Sequence, residues 1–88
     1  MVRYNLIFKG RVQGVGFRFR AKMIADEFIL TGNIKNLYDG DVECNIQGER
    51  EKISIFIEKL KKSKFIHIDK VIKENIDIVE NEKEFTIK

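Results

Sequence analysis

The sequence predicts a single α+β domain over residues 1–88: strands and helices in the order β-α-β-β-α-β, with two helices on one face of an antiparallel sheet. Three observations predict it. Apolar residues alternate with polar ones at the start, in the middle and at the end of the chain, as in strands with one buried face. Two separate stretches repeat instead at helical spacing. The breaks between them carry glycine or an Asp-Gly turn, and no proline, repeat, linker or low-complexity segment intervenes. Together these make the ferredoxin-like plan, with room for one extra short strand.

The first strand covers residues 2–9, with Val2, Tyr4, Leu6 and Phe8 on one face and Arg3, Asn5, Ile7 and Lys9 on the other. A helix follows from Phe17 to Thr31, where Phe17, Ala21, Ile24 and Phe28 make one apolar stripe. Phe19, Met23 and Leu30 fall on another side of it, packed under a loop or partly exposed. Gly32 stands where a C-cap glycine would end the helix. Asn33 to Tyr38 reads as the second strand, Asp39-Gly40 as a hairpin turn and Asp41 to Gln47 as the third strand. Val42, Cys44 and Ile46 point inward there, which makes Cys44 a small core residue rather than a nucleophile. The second helix runs from about Glu49 to Lys62 around Ile53, Phe56, Ile57 and Leu60. Its final lysines, Lys59, Lys61 and Lys62, complement the helix dipole. From Phe65 to Ile78 the isoleucines keep no single period, so a strand with a bulge or break is expected. Glu84 to Lys88 is the last strand, with Phe85 and Ile87 inward and the exposed sheet face polar enough to stand in water.

Composition narrows the function classes. Net charge is +3, from 17 basic and 14 acidic residues, which suits an anionic ligand without the clustered basic stripe of a nucleic-acid binder. The outward strand residues are charged or amide, so an RNA-stacking platform is missing and no nucleic-acid partner is expected. One cysteine excludes an internal disulfide and fits a reducing compartment. No apolar run approaches the roughly 18 residues of a membrane span, and the N-terminus begins as a strand rather than a signal segment. These features predict a cytoplasmic protein with no membrane partner; a monomer is expected, although composition does not itself reveal oligomeric state. No His, Cys, Asp or Glu cluster has metal-ligand spacing, no serine sits at an elbow motif, and the one histidine, His67, lies far along the chain.

The chemistry concentrates in Gly10-Arg11-Val12-Gln13-Gly14-Val15-Gly16-Phe17-Arg18. A strand enters this stretch and a helix leaves it. Three of the chain's six glycines lie within it. Such a loop at a helix N-terminus presents backbone N–H groups to an anion, and Arg18 in the first turn can grip phosphate with a planar fork of donors. Neither the Gly-Lys-Ser/Thr of a P-loop nor a third dinucleotide-type glycine follows. A glycine-rich turn that merely joins strand to helix is the plainer alternative. A phosphate cradle without metal, nucleophile or histidine base suits one reaction well. In an acyl phosphate the leaving group is a carboxylate that needs no general acid, and the phosphate can take a proton from attacking water. The protein then binds phosphate, orients water and stabilises charge. Asparagine or glutamine could hold the water, whereas a carboxylate would be repelled.

That loop, with Gly32-Asn33-Ile34-Lys35-Asn36-Leu37-Tyr38-Asp39-Gly40-Asp41-Val42-Glu43, resembles the acylphosphatase family over essentially the whole chain. The resemblance implies metal-free hydrolysis of the carboxyl-phosphate bond of a small-molecule acyl phosphate, without a cofactor. It puts the catalytic arginine on Arg18 and the catalytic asparagine on Asn36. It assigns phosphate binding to Gln13, Gly14, Val15, Gly16, Phe17 and Arg18, with the Gln13 backbone N–H expected to matter more than its side chain. Arg11 could help attract the anion or be simply solvated. The chain departs from the family at Asn33, where an aromatic residue is common, at Tyr38, where proline is frequent, and at Thr86-Ile87-Lys88, which lacks an aromatic residue. A non-catalytic phosphate- or RNA-binding module is the alternative, including the kind fused within larger carbamoyl-transferring maturation proteins. A chain that starts and stops with the fold, and retains Arg18 and Asn36, points to a free-standing enzyme.

Overall fold

The computed structural model describes residues 1–88. Its elements are β1 (Val2–Arg11), α1 (Phe17–Glu27), β2 (Thr31–Asn36), β3 (Val42–Gly48), α2 (Arg50–Lys61), β4 (His67–Ile76) and β5 (Phe85–Ile87). The strands form one sheet in the order β4-β1-β3-β2-β5. β1 pairs antiparallel with β3 and β4, and β2 antiparallel with β3. β5 lies parallel to β2, so the sheet is mixed rather than wholly antiparallel. A three-residue strand carries too little pattern to reveal its partner, and its edge is chosen by where residues 77–84 carry the chain.

Alternation puts Tyr4, Leu6 and Phe8 of β1, and Val42, Cys44 and Ile46 of β3, on one face. The α1 stripe of Phe17, Ala21, Ile24 and Ala25 and the α2 stripe of Ile53, Phe56 and Leu60 cover that face, and together they form one buried core. Phe8 stacks tilted on Phe17 at 4.9 Å between ring centroids, tying the strand before the glycine loop to the helix after it. Cys44 is fully buried. Burial raises its thiol well above the ordinary 9.0, with Arg3 pulling weakly the other way, so it is an inert core side chain.

Three local expectations change, and one holds. Helix α1 stops at Glu27, four residues before Thr31, and Gly32 does not cap it. Instead Ile29 takes a left-handed φ of 56°, with Leu30 N–H donating to the Ala25 carbonyl (2.8 Å) and Ile29 N–H to that of Asp26 (3.3 Å). This is the Schellman closure without its usual glycine, held because Leu30 is buried in the core. Gly32 lies inside β2, where a Cβ would overlap the Asn45 carbonyl of the neighbouring strand, so close backbone approach accounts for it. Accordingly β2 spans Thr31–Asn36 rather than residues 33–38. The bulge expected within residues 65–78 is present: Lys9 and Gly10 of β1 face Lys70 and Ile68, which leaves Asp69 as the extra residue on β4. Ile87 is exposed rather than inward.

The face away from the helices is not uniformly open. Across its middle Asn5 donates to Asn45 (3.0 Å) and Asn45 to Asn33 (3.2 Å), so Asn33, one of the family departures, completes an amide ladder. At one corner the segment from β4 to β5 passes over the sheet. Arg3, only 5% exposed, pairs with Glu82 at 2.7 Å and donates to Gln47. The Gln47 carboxamide in turn brackets the Val79 backbone, accepting from its N–H and donating to its carbonyl. This cluster delivers β5 to the far edge. Removing one member of such a buried pair leaves the other uncompensated, so Arg3→Leu should lower stability by roughly 3 kcal/mol. A urea unfolding midpoint unchanged from wild type would show that the segment is held by something else.

Candidate active site

The loop after β1 is built to leave donors free. Gly14 (φ 72°) and Gly16 (φ 78°) are both left-handed, which glycine adopts without steric cost, and Gly16 serves as N-cap of α1. No side chain caps that helix and no acidic residue lies in its first turn. The backbone N–H groups of Gln13, Gly14, Val15, Gly16, Phe17 and Arg18 find no acceptor within the chain. Uncapped N–H groups at the positive end of a helix dipole form a ready site for an anion.

Gly14, Gly16, Phe17 and Arg18 line one cavity of about 300 Å³ together with Val12, Phe19, Asn36 and Ile87. The loop, the first turn of α1, the last residue of β2 and the β5 edge thus meet at one place. Arg18 is half-buried, pairs with no carboxylate side chain, and donates from Nη1 to the Lys88 carbonyl at 3.2 Å. Lys88 N–H is itself held by the Ile34 carbonyl at 2.8 Å, so the end of β5 braces the arginine. Asn36 is exposed, and its carboxamide makes no hydrogen bond within the chain, leaving both donor and acceptor free.

Other expected residues lie elsewhere. Gln13 and Val15 do not line the cavity. The Gln13 side chain donates to the Leu37 (2.7 Å) and Asp41 (2.8 Å) carbonyls. Arg11 is exposed in a separate groove with Phe65, Ile66, His67 and Asp69. His67 is exposed there, its Nε2 3.0 Å from Asp69. No three His, Cys, Asp or Glu side chains gather to hold a metal ion.

Three cavity residues were not among those expected: Val12, Phe19 and Ile87. Phe19 is 67% exposed and Ile87 39% exposed, and with Val12 and Phe17 they form the apolar side of the cavity. The signal for Phe19 was its place off the apolar stripe of α1. Ile87 had none, because alternation in so short a strand pointed it inward.

The turn beside Asn36 is fixed from two sides. Lys9 meets Asp41 at 2.6 Å. That hydrogen bond first, then the charges of Asp41 and Asp39, outweigh the opposing desolvation and hold the Lys9 pKa above the ordinary 10.5. A raised lysine pKa contributes its stabilisation fully below the ordinary 10.5, so throughout the neutral range, and loses it as pH rises from there through the raised value.

The acylphosphatase family model matches residues 4–87. The chain belongs to the acylphosphatase family. It is 38% identical to an acylphosphatase of Clostridium beijerinckii across 100% of this chain and 99% of that one. The crystal structure of acylphosphatase from Bacillus subtilis superposes with a TM-score of 0.92 at 36% identity, covering 100% of this chain and 99% of that one. The T. kodakarensis HypF structure superposes at 0.86 with 38% identity, but there the match covers 100% of this chain and 12% of that one. The acylphosphatase unit therefore also occurs as a small part of a larger polypeptide.

Proposed function

We propose that this acylphosphatase-family chain hydrolyses the carboxyl-phosphate bond of small acyl phosphates without a metal ion, releasing a carboxylate and inorganic phosphate. The observation that carries this reading is one cavity bordered by an uncapped glycine loop, an arginine with no acidic side-chain partner and an asparagine with no side-chain bond of its own. The phosphate rests on the N–H groups of Gln13, Gly14, Val15, Gly16, Phe17 and Arg18, and the Arg18 guanidinium takes the charge on its free oxygens. Asn36 accepts a hydrogen bond from a water and orients its lone pair toward phosphorus. The water oxygen forms the new bond to phosphorus while the bond to the acyl oxygen breaks. The electron pair leaves with the carboxylate, and the water proton passes to a phosphoryl oxygen. No side-chain acid is required, consistent with the lack of Asp, Glu, His or Lys in the cavity lining.

The apolar side formed by Phe19, Ile87, Val12 and Phe17 would lie against the acyl group. In this reading the protein is a cytoplasmic monomer that works on a small molecule, without nucleic acid or membrane; the single cysteine fits a reducing compartment. Phosphate release from benzoyl phosphate tests the activity. Turnover should be the same with and without EDTA. Loss of turnover in EDTA, restored by a divalent cation, would refute the metal-free part of the reading, and a folded protein with no hydrolysis would refute the activity.

A further inference from the structure

We propose that Gln13 is a positioning residue that sets the place of Asn36 relative to the phosphate cradle, an inference that rests on the roles given to Asn36 and Arg18 above. Asn36 has no side-chain bond in the chain, so its position is decided by its backbone. It is the last residue of β2, opposite Val42, and the chain turns immediately after it. The turn closes by Leu37 N–H donating to the Asp41 carbonyl at 2.9 Å and Gly40 N–H to the Leu37 carbonyl at 3.3 Å. The half-buried Gln13 carboxamide donates to the same two carbonyls, at 2.7 and 2.8 Å. One side chain from the cradle loop therefore grips both legs of the turn that carries Asn36, while its own backbone belongs to the cradle. Both amide hydrogens are used, so neither is left to contact substrate.

This arrangement makes Gln13 a spacer between phosphate and water. Loosening it should displace the water and leave the cradle intact, and a displacement of about 1 Å can cost on the order of 100-fold in rate. The test compares wild type, Gln13→Met, Asn36→Ala and the double variant for kcat, KM and competitive inhibition by inorganic phosphate. Gln13→Met fills similar space without a donor. It should lose about 10- to 100-fold in kcat with phosphate inhibition little changed, and the double variant should be no slower than Asn36→Ala. Losses that multiply in the double variant, phosphate inhibition weakening in step with kcat, or wild-type kcat in Gln13→Met would each overturn the proposal. Asn36→Ala supplies the control. If it retains full turnover, the site reading falls and this proposal with it; if it is slow and Gln13→Met is not, this proposal alone falls.

Gln13→Glu adds a readout that holds even if Gln13→Met does not fold. A carboxylate offers no hydrogen to the two carbonyls, whereas the protonated acid offers one. The Gln13→Glu rate relative to wild type should therefore recover as pH is lowered. A pH-independent ratio would overturn the proposal.

Discussion

Asn36→Ala should hydrolyse acyl phosphates about 100- to 1,000-fold more slowly than wild type, a loss of roughly 3–4 kcal/mol in transition-state stabilisation. The expectation follows from the chemistry the site lacks. The cavity lining holds no general base, so turnover depends on placing a water in line with the phosphorus. Only Asn36, among the lining residues, offers a neutral side chain with an acceptor and donors. Its carboxamide is exposed and bonds to nothing in the chain, so alanine there should leave the unfolding midpoint within experimental error. The loss should appear in kcat, because the cradle that binds phosphate is untouched. Asn36→Asp should be no better, since a carboxylate is repelled by the phosphate it must face. Near-wild-type turnover in folded Asn36→Ala would remove the asparagine from the mechanism.

Arg18→Gln should lose at least about 100-fold in turnover and, unlike Asn36→Ala, should also bind inorganic phosphate more weakly. Arg18 is the only cationic side chain in the cavity lining, and no Asp or Glu side chain pairs with it. Its planar fork can span two phosphoryl oxygens, which a lysine ammonium cannot reproduce, so Arg18→Lys should recover only part of the loss. The bond to the Lys88 carbonyl is solvent-exposed, and its removal should change stability by no more than about 0.5 kcal/mol. Inhibition constants for phosphate, measured beside kcat, separate the two variants: a cradle defect raises both KM and the inhibition constant, a water defect neither. Unchanged phosphate affinity in Arg18→Gln would place the charge-bearing group elsewhere.

The parts of the fold that were legible share one property, that their signal is local. Alternation in β1 and β3 set which side chains face the core, and the inward position of Cys44 followed from it. The stripes of α1 and α2 named most of the helix residues that meet those strands. The glycine loop was readable because only certain backbones need glycine in that rhythm beside a helix start. Gly32 misled for the complementary reason. A glycine demanded by the Asn45 carbonyl of a neighbouring strand looks, along the chain, like a helix cap, while the real cap used Ile29 because Leu30 is anchored in the core.

By itself, then, the sequence determined the order of elements, the core faces, the glycine loop, and the two residue types, Arg18 and Asn36, that the proposed chemistry needs. Tertiary structure alone decided what those residues meet. It set β5 parallel to β2 through the buried Arg3–Glu82 pair, and this brings Ile87 to the cavity and the Lys88 carbonyl to Arg18. It also turned the Gln13 side chain away from the cavity and onto the turn beside Asn36. Periodicity records which way a side chain points from its own strand or helix. It carries no information about which distant carbonyl will stand opposite, because that depends on how the whole core packs.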